Sequence, residues 1–445
     1  TVERVNNDIA QQIHELVKTD FFKYYKLNLY KECPFWTENG QCINRACAVE
    51  TTDEAISSSR VVAQQRSCDQ DFCVVEDEAD VEGVYVNLHD NPERFTGYAG
   101  ASAGRVWKAI YEENCFNYHS RDSDQPSKNK FTGLFQSISE KPEATGGEAC
   151  FEKRVYYKLI SGLHSSISIH ICDEYLNQTT GQWGPNLDCF ISRFGSHPER
   201  IQNAYFTYVV LLRSISKMSE YLRGYKFCTG DEIQDAEVKE MVGRLVNTAE
   251  SCPGTFDERQ MFSSPQSRLL KEEFKAHFRN VSRIMDCVGC EKCRLWGKLQ
   301  TSGLGTALKV LFSYDDEYFN PKVHPNLLTR TEIVALFNTF NRFSESLQAI
   351  ERFRQMYQQR IDDLKVVGSH VSTRMPDPES IETPPIVITK PLNVTNETTN
   401  HFPETGFLID LLISIKEMIS PHAMRIYSMV LQKLEQWHIP IPVSL

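Results

Sequence analysis

The sequence predicts a mainly α-helical protein, and three observations carry that prediction. Apolar residues recur with helical period over 151–177, 199–223, 235–250, 267–285, 293–313 and 330–360. Strand signals are few. The stretches without helical pattern are a cysteine- and turn-rich segment over 31–80 and a polar one over 120–148 that reads as exposed loop. With 445 residues, 41% of them hydrophobic, the chain is long enough for one large domain or two ordinary ones around a sizeable core.

In chain order, residues 4–26 keep a helical period and end in Phe21-Phe22-Lys23-Tyr24-Tyr25, and 103–114 predicts a further helix. The strongest helix candidate, 151–177, contains Lys153-Arg-Val-Tyr-Tyr-Lys-Leu-Ile. From 366 to 405 Pro, Thr, Ser and Asn dominate, which predicts a flexible linker between a domain over 1–365 and a tail over 406–445. The tail is amphipathic over 406–437 and broken at Pro421; its apolar face can lie on a membrane surface or pack back on the domain. No apolar run approaches the ~20 residues of a membrane span, and no internal repeat is present.

The formal net charge of −11 argues against nucleic acid as a partner. Fourteen cysteines, an even number, suit a disulfide framework. Sequons at Asn177, Asn280, Asn393 and Asn396 favour, with the cysteines, an oxidising and glycosylating compartment. No signal peptide stands at Thr1, as expected of a mature form, and the final Pro-Val-Ser-Leu is not a usual retention signal.

The most informative motif is Cys287-Val-Gly-Cys290-Glu-Lys-Cys293, running directly into Arg294-Leu-Trp-Gly-Lys-Leu-Gln300. A dithiol at this spacing can close a tight disulfide and reopen it. At a helix N-terminus the macrodipole favours the thiolate, and Lys292 and Arg294 are expected to help. Cys290 with Cys293 and Cys42 with Cys47 could instead be metal ligands, a reading that weakens in an oxidising compartment, or purely structural bridges, although so short a loop gains little entropic stabilisation. A thiol-redox enzyme also needs an electron acceptor. Gly303-Leu-Gly305-Thr-Ala-Leu lacks the third glycine of a dinucleotide fingerprint and sits in a helical pattern, and no thioredoxin-like frame surrounds the Cys-x-x-Cys. A flavin held between helices stays open: Arg94, Thr96, Tyr98, Trp107, Ser161 and His164 supply the cationic, aromatic and hydrogen-bonding groups, with Ser161 and His164 on one helix face.

Several motifs occur in order: Lys31-Glu-Cys33-Pro-Phe-Trp36, Cys42-Ile-Asn-Arg-Ala-Cys47, Asn91-Pro-Glu-Arg-Phe-Thr-Gly-Tyr98, Tyr111-Glu-Glu-Asn-Cys115-Phe, Ser161-Gly-Leu-His164, and Arg279 through Gln300. Together, over roughly 12–355, they resemble the endoplasmic reticulum oxidoreductins; the tail is similar to fungal members in kind, though not in motif. The resemblance implies a single-domain helical flavoprotein with a helix-bundle core holding FAD and a loop-rich, disulfide-linked N-terminal region. It implies a thiol oxidase of the endoplasmic reticulum lumen that oxidises protein disulfide isomerase and passes electrons to molecular oxygen, giving hydrogen peroxide. By position, Cys290–Cys293 resembles the flavin-adjacent disulfide and Cys42–Cys47 the shuttle disulfide. Cys33–Cys287 and Cys115–Cys150 resemble structural bridges. Arg94, Thr96, Tyr98, Trp107, Ser161, His164, Arg193 and Arg200 match FAD-contacting positions. Cys68, Cys73 and Cys228 fall where the family places regulatory cysteines. Cys172 and Cys189, without family counterparts, are expected either to pair or to be buried thiols. The alternative reading is a secreted cysteine-rich interaction protein with only structural disulfides.

Overall fold

The computed structural model describes residues 2–36, 48–50, 83–93, 100–114, 151–229, 231–251 and 256–372. Most of them lie in helices: α1 (Val2–Leu16), α2 (Asp20–Lys23), α3 (Gly100–Glu112), α4 (Phe151–Asp173), α5 (Leu187–Phe194), α6 (Glu199–Lys217), α7 (Ser219–Gly224), α8 (Glu232–Glu250), α9 (Pro265–Ile284), α10 (Glu291–Ser313) and α11 (Arg330–Ser372). Two antiparallel ladders join β1 (Tyr24–Leu27) to β2 (Val84–Asn87) and β3 (Tyr175–Leu176) to β4 (Trp183–Gly184). The polar stretch 120–148, Cys42 and Cys47 of the expected shuttle pair, and the chain from 373 to its end lie outside the described residues.

Local chemistry sets the helix starts. Asp231 caps α8, its carboxylate accepting from the N–H groups of Ile233 and Gln234. Ser264 and Ser267 form a reciprocal capping box on α9, with Pro265 in its first turn. Several sequence-based boundaries need correction. The helical period over 4–26 breaks after Leu16, and Tyr24–Leu27 is strand, because its apolar residues pair across with 84–87 in the register Tyr24↔Asn87 to Leu27↔Val84. The pattern over 199–223 is two helices separated at Met218. Helix α5 is too short to show a period of its own. Helix α11 continues past 365 to Ser372, inside the expected linker.

The chain divides into two compact units, one of residues 1–186 with 199–351, the other of 187–198 with the chain from 352 onward. In the first, α4 is buried on nearly every side and packs on α6. Gly162 makes that approach possible: a Cβ there would stand 2.0 Å from Thr207 Oγ1 and 2.4 Å from the Asn203 carbonyl. Helices α10 and α11 meet in the same way at Gly303, where a Cβ would stand 2.2 Å from Thr339 Oγ1 and 2.3 Å from the Ala335 carbonyl. The glycines of Gly303-Leu-Gly305 are therefore packing residues. Tyr208 of α6 stacks on Phe340 of α11 with centroids 5.1 Å apart. Helix α1 is tied to α11 by Asn6, which donates to the Ser344 carbonyl and accepts from its hydroxyl. In the second unit Phe190 of α5 stacks on Phe353 at 4.4 Å, and Asp188 pairs with Arg360 at 2.8 Å. No helix among the described residues is long and apolar enough to cross a membrane.

The close crossing of α10 and α11 gives a first test. Gly303→Ala is expected to destabilise the protein by about 3 kcal/mol, since the obstructing atoms are backbone and a buried β-branched residue. Gly243→Ala in α8, where a Cβ meets nothing within 4 Å, is expected to stabilise by about 0.5–1 kcal/mol. Unfolding midpoints of the two variants check both signs.

Candidate active site

The site is built at the turn between α9 and α10. Helix α9 tightens into a single turn over Met285–Cys287, and α10 begins with Cys290 as its cap. Cys290 and Cys293 are joined as a disulfide with Cα atoms 5.1 Å apart. The Cys290 sulfur also accepts from the Cys293 N–H at 3.3 Å. The pair therefore sits at the positive end of a 23-residue helix, where developing thiolate charge is favoured. Its two residues are only 3% and 1% exposed.

Rigid attachments surround this turn. Cys287 is disulfide-bonded to Cys33, with Cα atoms 4.5 Å apart. Asp286, almost wholly buried, pairs with Lys298 on the second turn of α10; burial pushes the Lys298 ammonium down, against the pull of Asp286. Gly297 lets Met285 lie on α10, since a Cβ there would stand 2.9 Å from its sulfur. Arg294 has a role that the sequence did not suggest. Its guanidinium donates to the backbone carbonyls of Val288, at 3.0 Å, and of Leu29. It thus holds the segment leading to Cys33, and burial lowers its pKa.

A second set of attachments reaches α10 from residues 48–50 and 91–93. The Val49 N–H donates to Glu291 Oε2 at 3.0 Å. Asn91, fully buried, accepts from the Glu50 N–H at 2.6 Å and donates to the Glu50 carbonyl at 2.8 Å. Its own carbonyl accepts from Trp296 Nε1 at 2.7 Å. Glu93 accepts from Gln300 of α10 at 3.0 Å and pairs with Arg342 of α11 at 2.8 Å. Residues 91–93 run directly into Arg94, so the chain entering the Arg94-Phe-Thr96-Gly-Tyr98 motif is fixed on two helices.

A cluster of rings forms where α3 meets α4. Trp107 stacks on His164 with centroids 3.9 Å apart and planes at 16°. The Tyr111 hydroxyl lies 3.0 Å from His164 Nδ1, and Tyr157 lies 6.0 Å from Tyr111. Burial pushes the Tyr111 phenol up to about 12, with Tyr157 raising it further and Arg200 and Ser161 opposing. Burial raises Tyr157 as well. Ser161, fully buried, accepts from Asn203 Nδ2 at 2.9 Å. Trp107, Ser161, His164 and Arg200 thus converge on one patch. Sequence reasoning missed Tyr111 and Tyr157, although Tyr111 follows Trp107 by four residues on the same helical face. The donor set fits a planar anionic cofactor such as FAD: flat aromatic faces, phenols that stay protonated as donors, and a guanidinium. Arg193 belongs to the second unit, on α5, where burial lowers its pKa. Arg94, Thr96, Tyr98, Cys42, Cys47, Cys68, Cys73, Cys115, Cys150 and Cys252 lie outside the described residues. Cys172, Cys189 and Cys228 are each disulfide-bonded, which rules out the buried thiol for the first two. Among the described residues no group of three or more His, Cys, Asp or Glu could hold a metal.

Residues 8–350 match the family described as Endoplasmic Reticulum Oxidoreductin 1 (ERO1). The sequence is 43% identical over 446 residues to the endoplasmic reticulum oxidoreductin-1 of Neurospora crassa, covering 81% of this chain and 67% of that one. It is 38% identical over 420 residues to the human ERO1-like protein alpha, covering 80% and 88%. A solved structure of Ero1p, described as a source of disulfide bonds for oxidative protein folding, superposes with a TM-score of 0.63 at 32% identity, covering 81% of this chain and 98% of that one.

The described sequons differ in accessibility. Asn177 is exposed, in a turn where its Oδ1 accepts from Thr179 and Thr180, leaving Nδ2 open. Asn280 lies within α9, half-buried, with Nδ2 donating to Glu113 at 3.2 Å. In protein from a glycosylating host, site-by-site mass spectrometry is expected to find glycan at Asn177 and none at Asn280. Asn393 and Asn396 lie outside the described residues.

Proposed function

The chain belongs to the endoplasmic reticulum oxidoreductin family, and on that premise we propose that it is an FAD-dependent thiol oxidase acting on protein disulfide isomerase in the endoplasmic reticulum lumen. Membership itself makes it an oxidoreductase of oxidative protein folding in the endoplasmic reticulum. The observation that carries the finer reading is the burial of the Cys290–Cys293 disulfide. An oxidised pair that is 3% and 1% exposed is closed to a thiolate carried on a folded partner, so a second dithiol of this chain has to bring the electrons in. Cys42–Cys47 is that pair in this reading.

The relay is a series of displacements on sulfur. A partner thiolate attacks Cys42, Cys47 leaves as thiolate, and the partner's second thiol resolves the mixed disulfide and departs oxidised. The Cys47 thiolate then attacks Cys290, and Cys293 leaves. The Cys42 thiolate attacks Cys47, re-forming the shuttle disulfide and freeing Cys290. Re-forming the Cys290–Cys293 disulfide releases two electrons and two protons; bound FAD would supply the two-electron acceptor between this dithiol and molecular oxygen, so that one partner dithiol and one oxygen would give one disulfide and one hydrogen peroxide. Trp107, Ser161, His164 and Arg200 would hold it, with Arg94, Thr96, Tyr98 and Arg193 as further contacts. Contact of the tail with a membrane surface is part of the same proposal, and nucleic acid has no role in it.

Three variants test the relay. Cys293→Ala is expected to abolish oxygen consumption with every thiol. Cys42→Ala with Cys47→Ala is expected to lose at least tenfold activity toward the isomerase, about 1.4 kcal/mol or more of barrier, and to keep a measurable rate with concentrated dithiothreitol. Equal loss toward both reductants would make the two pairs a single site. Trp107→Ala with His164→Ala is expected to give soluble protein without the visible flavin band, and normal flavin content there would remove the cofactor assignment.

A further inference from the structure

We propose that Asn91 and Glu291 form a latch that clamps residues 48–50 to the start of helix α10 and so presents Cys47 to Cys290; the inference rests on the shuttle reading of Cys42–Cys47. Glu291 is the residue after Cys290, and its Oε2 takes the Val49 N–H from 242 positions away at 3.0 Å. One residue on, both backbone groups of Glu50 are engaged by the buried Asn91 amide, at 2.6 and 2.8 Å. This paired donor and acceptor fixes direction as well as position, as a rung of a sheet ladder does. Asn91 is itself held, since Nδ2 also donates to the Asn87 carbonyl at 3.1 Å and its own carbonyl accepts from Trp296. The latch therefore refers the chain at 48–50 to the redox helix by two independent routes.

Covalent geometry gives the consequence. Cys47 precedes Val49 by two residues, so at 3.80 Å per step its Cα lies within about 7.6 Å of that of Val49. Cys290 is bonded to the residue that holds Val49. Anchoring 48–50 thus raises the local concentration of Cys47 at Cys290 for one step: the Cys47 thiolate attacks Cys290 Sγ, the Cys290–Cys293 bond breaks, and Cys293 leaves as thiolate. An acid in the first turn of a helix is favoured by the dipole alone, but that does not account for a distant backbone N–H seated on it. A carboxylate beside Cys290 also opposes thiolate formation, so tuning the sulfurs is a poor reason for its presence.

The test measures the proximity of Cys47 and Cys290 directly. The full chain carrying Cys42→Ala and Cys293→Ala leaves these two cysteines to pair. Their disulfide is titrated in glutathione redox buffers, and the fraction formed is read by alkylation and peptide mass spectrometry. Adding Val49→Pro, which removes the N–H, is expected to require a buffer about fivefold more oxidising at the midpoint, the equilibrium effect of one lost hydrogen bond, whereas Val49→Ala leaves the midpoint in place. Glu291→Ala is expected to shift it as Val49→Pro does. Glu291→Gln, which keeps the acceptor and loses the charge, is expected to restore it. Asn91→Asp, which loses the donor to the Glu50 carbonyl, is expected to shift it in the same direction. Unshifted midpoints in Val49→Pro and Glu291→Ala overturn the latch, as does a Glu291→Gln shift equal to that of Glu291→Ala, which would make charge the cause. If Cys47 and Cys290 pair in no buffer even without the added substitutions, the shuttle reading itself fails, and the latch with it.

Discussion

Arg342 and Glu93 meet at 2.8 Å inside the first compact unit, both nearly removed from solvent, and the arrangement at the redox helix follows from that contact. Burial alone would lower the Arg342 pKa, but Glu93, Glu345 and Glu174 surround it and raise it, so the guanidinium stays charged. Burial pushes the Glu93 carboxyl up, with Arg342 and Gln300 opposing. Arg342 also lies 5.4 Å from the Trp296 ring centre and pairs with Glu345 at 2.8 Å. One cation thus joins α11, α10 and residues 91–93. A buried pair of this kind adds little net stability, yet losing one member costs about 3–5 kcal/mol because the other is left charged and unpaired. Its use here is geometric: it fixes the short segment that on one side seats residues 48–50 through Asn91 and on the other runs into Arg94.

The cations near the sulfurs have other hydrogen-bond partners, backbone for one and a carboxylate for the other. Arg294 is on carbonyls and Lys298 is on Asp286. The thiolate is then favoured chiefly by the helix start and by the Cys293 N–H directed at Cys290. That division suits a relay. A displacement site has to cycle between disulfide and dithiol, and a fixed cation on sulfur would stabilise one form at the expense of the other. Aligned peptide dipoles favour the thiolate without adding a side chain that would block the approaching sulfur.

Much of this was legible in the sequence where the determinants are local. The long periods of α4, α10 and α11 and the placement of the Cys-x-x-Cys at a helix start depend on residues within one or two turns of each other; the caps Asp231 and Ser264 are equally local but went unread, and those two helices start three and two residues earlier than the periods at 235 and 267. Ser161 and His164 could be put on one face from spacing alone, and Trp107 was named as an aromatic at a position matching the family. Long-range relations were not legible. Tyr24–Leu27 reads as the end of a helix until Val84–Asn87 pairs with it. Gly303 reads as half of a nucleotide fingerprint until Ala335 and Thr339 are seen against it. Asn91 and Glu93 stood inside a quoted motif, but their partners Glu50, Trp296, Gln300 and Arg342 are tens to hundreds of residues away. Arg294 was expected to act on sulfur because its nearest neighbours in sequence are cysteines, whereas its carbonyl partner at Leu29 is visible only in the fold.

The two anchors on either side of residues 34–47 share a purpose. Cys33 is bonded to Cys287, three residues before Cys290, and Val49 is seated on Glu291, one residue after it. Both ends of the segment that carries Cys42 and Cys47 therefore arrive at the same turn. Bringing the ends of a segment together carries an entropic cost that grows only slowly with its length, and here that cost is met by a covalent bridge at one end and hydrogen bonds at the other. The asymmetry has a chemical reading. The disulfide end keeps the segment attached through every redox state that leaves Cys33–Cys287 intact. The hydrogen-bonded end, nearer to Cys47 in sequence, is held by bonds that can break and re-form without a change of redox state, as the proposed relay requires.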